Sequence, residues 1–135
     1  SFDKLWGYTN VVRLGAEHLS DDGCIVLVSG APARRAKPGQ AAIASVGGAV
    51  EQFVRAVTAE LAPKRINVVS PGVIDTPMFG NDADARAKML GGATAKNLIP
   101  RAGTSEEVAE GIMFVVKNDF VTGTTVDVDG GWILS

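Results

Sequence analysis

Two continuous apolar runs constrain the fold of this chain more than any other feature. Residues 24–28 and 66–70 are continuous rather than alternating in hydrophobicity, and both are rich in β-branched side chains. Strands that are covered on both faces have this pattern, which is typical of parallel sheets. A third run at residues 124–128 completes the predicted strands.

Helical patterns separate these runs. Apolar residues recur at helical spacing in 2–19 and 40–61, and Thr104 and Glu107 form a capping box that predicts the start of a third helix. We interpret the polar, alanine-rich segment 81–97 as a mobile helical flap without an anchor. This alternation predicts an α/β fold with a parallel sheet and helices on both faces.

The composition restricts the classes of partner and site. The chain has 135 residues and a formal charge of −2, which suits one hydrophobic core and argues against nucleic acid or a membrane surface as a partner. No apolar run reaches the roughly 18 residues that span a bilayer, and no secretory leader opens the chain. The single cysteine, Cys24, fits a reducing compartment, and the single histidine, His18, has no second metal ligand near it. We therefore expect a cytoplasmic protein without a metal site.

The segment after the second predicted strand is unusually constrained. It contains Pro71, Gly72 and Pro77 within seven residues. Proline fixes the backbone and glycine removes a side chain, so such a loop holds one conformation beside something close. Because ligands of parallel α/β sheets bind at the carboxyl ends of strands, the loop is a candidate binding element. An ordinary proline turn is the alternative interpretation.

Four segments in order along the chain carry a family resemblance. INVVSPGVIDTPMF resembles the loop after the sixth strand of short-chain dehydrogenases/reductases, and FVRAVTAELAPKRINVVSPG resembles the helix and strand that lead into it. IPRAGTSEEVAEGIMFVV and VTGTTVDVDGGWIL resemble the last helix and the glycine-rich end of the family. The resemblance implies that residues 1–135 are the C-terminal half of a doubly wound, Rossmann-type domain. The family's N-terminal βαβ unit, which binds the dinucleotide, has no counterpart in this sequence, so strand 24–28 would be an uncovered apolar edge.

The resemblance also implies a cofactor, either NAD or NADP. In the family the Pro-Gly loop receives the nicotinamide end of the cofactor. The backbone of Ile74 would contact the carboxamide, the Thr76 hydroxyl would contact the carboxamide or the pyrophosphate, and Gly72 would leave room for the ring. The implied cofactor-binding residues are Pro71, Gly72, Val73, Ile74 and Thr76.

The positions that carry chemistry in the family hold different residues here. The resemblance places the usual tyrosine at Ile43 and the usual lysine at Gly47. The usual serine falls on Gly30, and the supporting asparagine falls on Lys4. The only tyrosine, Tyr8, lies on another predicted helix, so no alignment restores the proton donor that a developing alkoxide needs.

Two functions from different classes remain open. The first is a divergent oxidoreductase that transfers hydride between NAD(P) and a small carbonyl or alcohol substrate, with Lys4 and Ser29 as its catalytic candidates. Lys4 is the foremost candidate because a desolvated lysine can act near neutral pH, and a solvated lysine at the start of its helix is the alternative interpretation. Lys37 and Gln40 are further polar groups from neighbouring segments. The second is a catalytically inactive nucleotide-binding or structural subunit of the same fold.

A subunit contact is also implied by the resemblance. Helices 2–19 and 40–61 would meet their copies in a homodimer or homotetramer. Gly47 and Gly48 are unfavourable inside an isolated helix, and a close helix crossing is a structural reason for them.

Overall fold

The computed structural model describes residues 2–135 and has three parallel strands flanked by helices. The helices are α1 (Phe2–Gly15), α2 (Ala41–Leu61), α3 (Ala83–Thr94) and α4 (Ser105–Lys117). The strands are β1 (Cys24–Val28), β2 (Arg65–Pro71) and β3 (Thr125–Val128). The predicted fold class is confirmed, and the strand ends differ from the predicted ones by a single residue where they differ at all.

β2 lies at the centre of the sheet, between β1 and β3. Its residues from Arg65 to Ser70 are buried, whereas most of β1 and β3 is only partly buried. The parallel register pairs Cys24 with Arg65 and Val68 with Thr125. The carboxyl ends of the strands therefore meet at one edge, where the loops after β1 and β2 begin.

α1 and α2 cover one face of the sheet with a valine-rich core. Val50 and Val54 of α2 pack with Ile66 and Val68 of β2, and Val12 of α1 joins the same cluster. Val50 and Val54 are four residues apart, so they share one side of the helix. Each such side chain contributes about 1.5–3 kcal/mol when it is fully buried.

α4 covers the opposite face of the sheet. Neighbouring residues of a strand point to opposite sides, so Val69 faces α4 while Val68 faces α1 and α2. Gly111 allows α4 to approach the sheet closely, since a Cβ at this position would lie 2.8 Å from Cγ2 of Val128 and 3.7 Å from Cγ1 of Val69. Glu107 donates its N–H to Thr104 Oγ1 at 3.1 Å, and Thr104 donates its N–H to Glu107 Oε2 at 2.8 Å. The predicted capping box of this helix is confirmed.

The segment 81–97 is helical as predicted, but it is anchored. Leu90 and Thr94 of α3 are buried, and Arg86 Nε lies 2.9 Å from Oδ1 of Asp75 in the loop after β2. The prediction of an unanchored flap is wrong, because the single leucine supplies an apolar anchor that the alanine-rich composition conceals.

The first helix is shorter than predicted. α1 ends at Gly15, and one turn of 3₁₀ helix follows at Ala16–His18. Of the helices within residues 2–135, none combines the length and the hydropathy that a membrane span requires.

Candidate functional site

A short parallel contact with the segment before α4 holds the loop that follows β2. Gly103 donates its N–H to the Val73 carbonyl oxygen at 2.9 Å and accepts the Asp75 N–H at 2.9 Å. Ile74 and Gly103 thereby form an isolated parallel bridge. Gly103 bonds only the residues on either side of Ile74, so the N–H and C=O of Ile74 point away from it. Within residues 2–135 these two groups have no backbone hydrogen-bond partner.

Packing explains the glycine of this loop. A Cβ on Gly72 would lie 2.8 Å from the Asp129 Cα and 2.9 Å from the Asp129 oxygen. The Gly72 N–H also donates to the Val128 carbonyl oxygen at 3.0 Å. The close approach of the chain after β3 therefore requires the glycine, a reason that differs from the expected one, which was room for a nicotinamide ring.

A cavity of about 490 Å³ opens beside the loop, at the carboxyl ends of the strands. Its volume lies in the range of small-molecule sites, roughly 300–1,000 Å³. Most of its wall is apolar, and its polar side chains include those of Gln40, Thr76 and Ser105. The Thr76 hydroxyl makes no capping hydrogen bond to the turn that follows it. All five residues predicted to contact a cofactor line this cavity: Pro71, Gly72, Val73, Ile74 and Thr76.

A second cavity, of about 160 Å³, adjoins the first. Three residues, Ser29, Gly30 and Ile43, line both cavities. Lys4 and Gly47 line the smaller one. The structure therefore brings together every position that the resemblance assigned to catalysis, from α1, the end of β1 and α2.

Packing closes the family's lysine position. A Cβ on Gly47 would lie 2.9 Å from the Cβ of Ala33 and 3.7 Å from the Gly30 carbonyl oxygen. A Cβ on Gly30 would meet nothing nearer than Pro32 Cδ, at 3.7 Å. Position 30 therefore has room for a Cβ, whereas a side chain at position 47 requires Ala33 to move.

Among the described residues that line the smaller cavity, Lys4 is the one with an ionisable side chain. Desolvation by the surrounding protein lowers its pKa from the ordinary value of 10.5. Its Nζ lies 5.6 Å from the centroid of the Tyr8 ring, within the range of a cation–π contact, which favours the protonated amine. Tyr8 thus acts on Lys4 and does not line either cavity.

The other two polar candidates, Lys37 and Gln40, differ in their relation to the larger cavity. Lys37 Nζ lies 3.8 Å from the centroid of the Trp132 ring, and the Lys37 N–H donates to Gln40 Oε1 at 2.8 Å. Trp132 and Gln40 line the larger cavity, whereas Lys37 does not. Lys37 therefore contacts two residues of the cavity wall, Trp132 and Gln40, without lining the cavity itself.

A charged network behind Ser29 was missed by the sequence analysis. Ser29 Oγ donates to Glu51 Oε1 at 2.8 Å, and Glu51 is only 6% exposed. Arg34 Nε lies 3.5 Å from Glu51 Oε2, and the same guanidinium pairs with Asp127 of β3. The signal in the sequence was a glutamate directly after Val50, inside the apolar stripe of α2.

Metal ligands are not grouped in the part of the chain that the structure describes. Within residues 2–135, no three His, Cys, Asp or Glu side chains are placed to hold a metal ion. His18 lies at the surface with Nε2 3.4 Å from Glu17 Oε1, and Cys24 is a free, half-buried cysteine.

Comparison with known proteins finds relatives along nearly the whole chain. A family model described as enoyl-(acyl carrier protein) reductase matches residues 4–133. The chain is 39% identical over 110 residues to a short-chain dehydrogenase/reductase of Stachybotrys chlorohalonatus, covering 82% of this chain and 44% of that protein. It is 41% identical over 116 residues to cyclopentanol dehydrogenase of Comamonas testosteroni, covering 82% of this chain and 45% of that protein. The chain thus spans somewhat less than half the length of these relatives.

Solved structures match the fold over nearly the whole chain. A small-chain dehydrogenase crystallised with NADPH superimposes with a TM-score of 0.92 at 33% identity, covering 99% of this chain and 62% of that one. A reductase/Diels-Alderase from Malbranchea aurantiaca superimposes with a TM-score of 0.87 at 28% identity, covering 98% of this chain and 51% of that one.

Proposed function

The chain belongs to the short-chain dehydrogenase/reductase family, and we propose that it supports NAD(P)-dependent hydride transfer on a small carbonyl or alcohol substrate. The observation that carries this proposal is the Ile74 peptide at the wall of the 490 Å³ cavity, whose N–H and C=O have no backbone partner within the described residues. A carboxamide offers one acceptor oxygen and an NH₂ donor, so the Ile74 peptide complements the amide of a nicotinamide. When bound, a nicotinamide cofactor supplies the hydride chemistry.

We propose NAD or NADP as the cofactor. The apolar walls of the larger cavity suit the faces of a nicotinamide ring, and the Thr76 hydroxyl offers a further hydrogen bond beside Ile74. NADPH is the first cofactor to test, because a related small-chain dehydrogenase was crystallised with it.

Lys4 and Ser29 are the proposed replacements for the family's catalytic side chains. Both line the smaller cavity, where the substituted positions converge. Desolvation lowers the pKa of Lys4 from its ordinary value of 10.5, so its proton is easier to donate than that of a fully hydrated lysine, although the side chain is still open to solvent. A ketone that received this proton at its oxygen and a hydride at its carbon would become an alcohol, and Ser29, whose own proton is donated to Glu51, would accept a hydrogen bond from the new hydroxyl.

The second candidate function is a catalytically inactive nucleotide-binding or structural subunit. The contact between Gly47 and Ala33 favours it, because this packing excludes the lysine that the family uses for proton transfer and ribose binding.

Assembly is also a proposal. Three apolar side chains of α1, Trp6, Val11 and Leu14, are 57–67% exposed, and Ile43 of α2 is 57% exposed. The exposure of these apolar side chains supports the homodimer or homotetramer that we propose through α1 and α2, in which a second copy would cover them. We further propose that β1, at the outer edge of the sheet, pairs with the rest of a Rossmann-type domain of which residues 1–135 are the C-terminal part.

A panel of ketones and secondary alcohols, including cyclopentanone and cyclopentanol, tests the proposal with NADPH, NADH and their oxidised forms. Turnover of any member that falls by about 10²–10⁴-fold in Lys4→Met supports the lysine as the acid. Lys117→Met, at the exposed end of α4 on the opposite face of the sheet, is the matched control. Turnover that survives Lys4→Met overturns the lysine's role, and cofactor binding without any turnover favours the inactive subunit.

A further inference from the structure

Ser29 lies between a buried carboxylate and the two cavities. Its Oγ donates to Glu51 Oε1 at 2.8 Å, and the residue lines both cavities. A serine hydroxyl has one proton and two acceptor lone pairs. Because its proton is engaged with Glu51, Ser29 can offer a ligand only an acceptor.

Glu51 is fixed as the acceptor for that proton. It is buried within α2, where Arg34 Nε lies 3.5 Å from its second oxygen and compensates its charge. Arg34 is itself held by Asp127 on β3. The network therefore connects α2, the segment after β1 and β3, and it keeps a carboxylate oxygen directed at Ser29.

We propose that Ser29 and Glu51 form a proton-accepting pair that makes this site select secondary alcohols over ketones. The inference rests on the proposed function and deepens it by naming the substrate class and the direction of reaction. An alcohol hydroxyl can donate a hydrogen bond to Ser29, whereas a ketone oxygen meets another acceptor there. Lys4 lines the same small cavity, and its ammonium can donate to the alcohol oxygen at the same time. The mostly apolar walls of the larger cavity suit a hydrocarbon ring as the rest of the molecule.

The pair gives the alcohol proton a destination. As the alcohol O–H bond breaks, its proton passes to Ser29 Oγ, while the Ser29 proton passes to Glu51 Oε1. A bound oxidised nicotinamide, NAD(P)⁺, would supply the acceptor for the hydride that leaves as the carbinol C–H bond breaks. The products are a ketone, a reduced nicotinamide and a protonated Glu51, so charge and electrons balance. Ser29 is the catalytic residue in this scheme, and Glu51 acts through it.

Glu51→Gln tests the pair because it reverses the direction of the hydrogen bonds. Arg34 needs an acceptor, so the amide oxygen of the new side chain faces Arg34 and its NH₂ group faces Ser29. Ser29 must then accept from the amide and donate its own proton to the ligand. The variant should therefore lose the preference for alcohol and gain one for ketone, a reversal that loss of packing alone would not produce.

The measurement is binding of cyclopentanol and cyclopentanone to the protein by ligand-observed NMR, with NADPH binding measured separately. We expect the unmodified protein to favour cyclopentanol by about tenfold, the worth of one hydrogen bond to a charge-linked group, and Glu51→Gln to favour cyclopentanone. Glu60→Gln, an exposed glutamate on the same helix, should keep the original ratio. A ratio that is unchanged in Glu51→Gln overturns the inference.

Ser29→Ala is the second variant and keeps the test decisive if Glu51→Gln fails to fold. Removing the hydroxyl should abolish discrimination, so the two rings should bind with affinities equal within about twofold, less than the worth of one hydrogen bond. Persistent alcohol preference in Ser29→Ala, or no binding of either ring to the unmodified protein, overturns the inference. NADPH binding in those same samples would leave the proposed function standing, whereas its loss would remove the proposed function as well.

Discussion

The loop 71–76 and the amino-terminal half of α2 both border the larger cavity, but they differ in how they depart from the family. The loop retains its Pro-Gly pair and threonine, and the main chain of Ile74, which has no backbone hydrogen-bond partner within residues 2–135, supplies the binding groups that we propose. The helix has Ile43 and Gly47 in place of a tyrosine and a lysine. Binding by peptide groups survives side-chain substitution as long as the packing around the main chain is kept, whereas proton transfer depends on side chains and needs other residues once they are replaced.

The largest expected effect comes from rebuilding the helix side of this comparison. We expect Gly30→Ser, Ile43→Tyr and Gly47→Lys together with Ala33→Gly to raise ketone reduction by about 10²–10⁴-fold, the usual contribution of a general acid. The fourth substitution matters because a Cβ at position 47 would lie 2.9 Å from the Ala33 Cβ. Steady-state kinetics with NADPH measure the change.

The same variant without Ala33→Gly is the matched control. It should remain slow and should lose about 1–3 kcal/mol of unfolding free energy through overpacking. Equal rates with and without Ala33→Gly would show that the contact between Ala33 and Gly47 does not exclude the lysine.

Two glycine substitutions compare how tightly the two regions are packed. Gly72→Ala should lower the unfolding free energy by about 1–3 kcal/mol, because its Cβ would lie 2.8 Å from the Asp129 Cα. Gly48→Ala on α2 meets nothing nearer than the Ala33 oxygen at 3.9 Å, and should stabilise the protein by up to about 1 kcal/mol through helix propensity. Urea unfolding measures both, and equal midpoints would contradict the proposed difference in packing.

Thr76→Val tests the hydroxyl on the loop side. Loss of one part-buried hydrogen bond should weaken NADPH binding by roughly 1–2 kcal/mol. Thr9→Val on α1 removes a threonine hydroxyl that lines neither cavity and serves as the control. If both variants bind NADPH as the unmodified protein does, Thr76 is not a cofactor contact.

The smallest effect concerns the support of the loop at low pH. Hydrogen bonds from the Arg101 side chain and from the Thr104 N–H lower the pKa of Glu107 from 4.5 to about 2. The folded-state pKa is the lower one, so Glu107 stabilises the fold above pH 4.5 and loses this contribution as the pH falls toward 2. Glu107 therefore holds Thr104, next to the Gly103 that bridges Ile74, less firmly in acid.

Urea unfolding between pH 5 and pH 2.5 measures this effect. The unmodified protein should lose more stability across that range than Glu107→Gln, because glutamine has no carboxylate to protonate. Glu106→Gln, at the neighbouring exposed position on α4, should behave as the unmodified protein does. Parallel pH dependences for all three proteins would remove Glu107 as an acid-sensitive support.

The strands could be predicted from the sequence because each is a local run that is rich in β-branched residues. Helices between successive strands then indicate a parallel sheet. The anchoring of α3 was missed, since the burial of Leu90 depends on tertiary packing that composition does not reveal. Convergence of Lys4 and Ser29 on one cavity was expected only through the family resemblance, because 25 positions separate them.

Two contacts of the site lay beyond sequence reasoning for a physical reason. The clash that Ala33 imposes at Gly47 depends on a distance between two Cβ positions. The hydrogen bond from Ser29 to Glu51 spans 22 positions along the chain, and a lone glutamate in an apolar stripe does not indicate which hydroxyl it accepts from.

Calorimetric titration of the protein with NADPH and NADH tests the central claim most directly, namely that the cofactor side of this site is retained while the proton-transfer side has changed. Saturable binding of one cofactor per chain, weakened by Thr76→Val and retained in Lys4→Met, is the predicted result. Absence of binding for both cofactors would contradict the claim, since it requires the N–H and C=O of Ile74 to bind a nicotinamide amide.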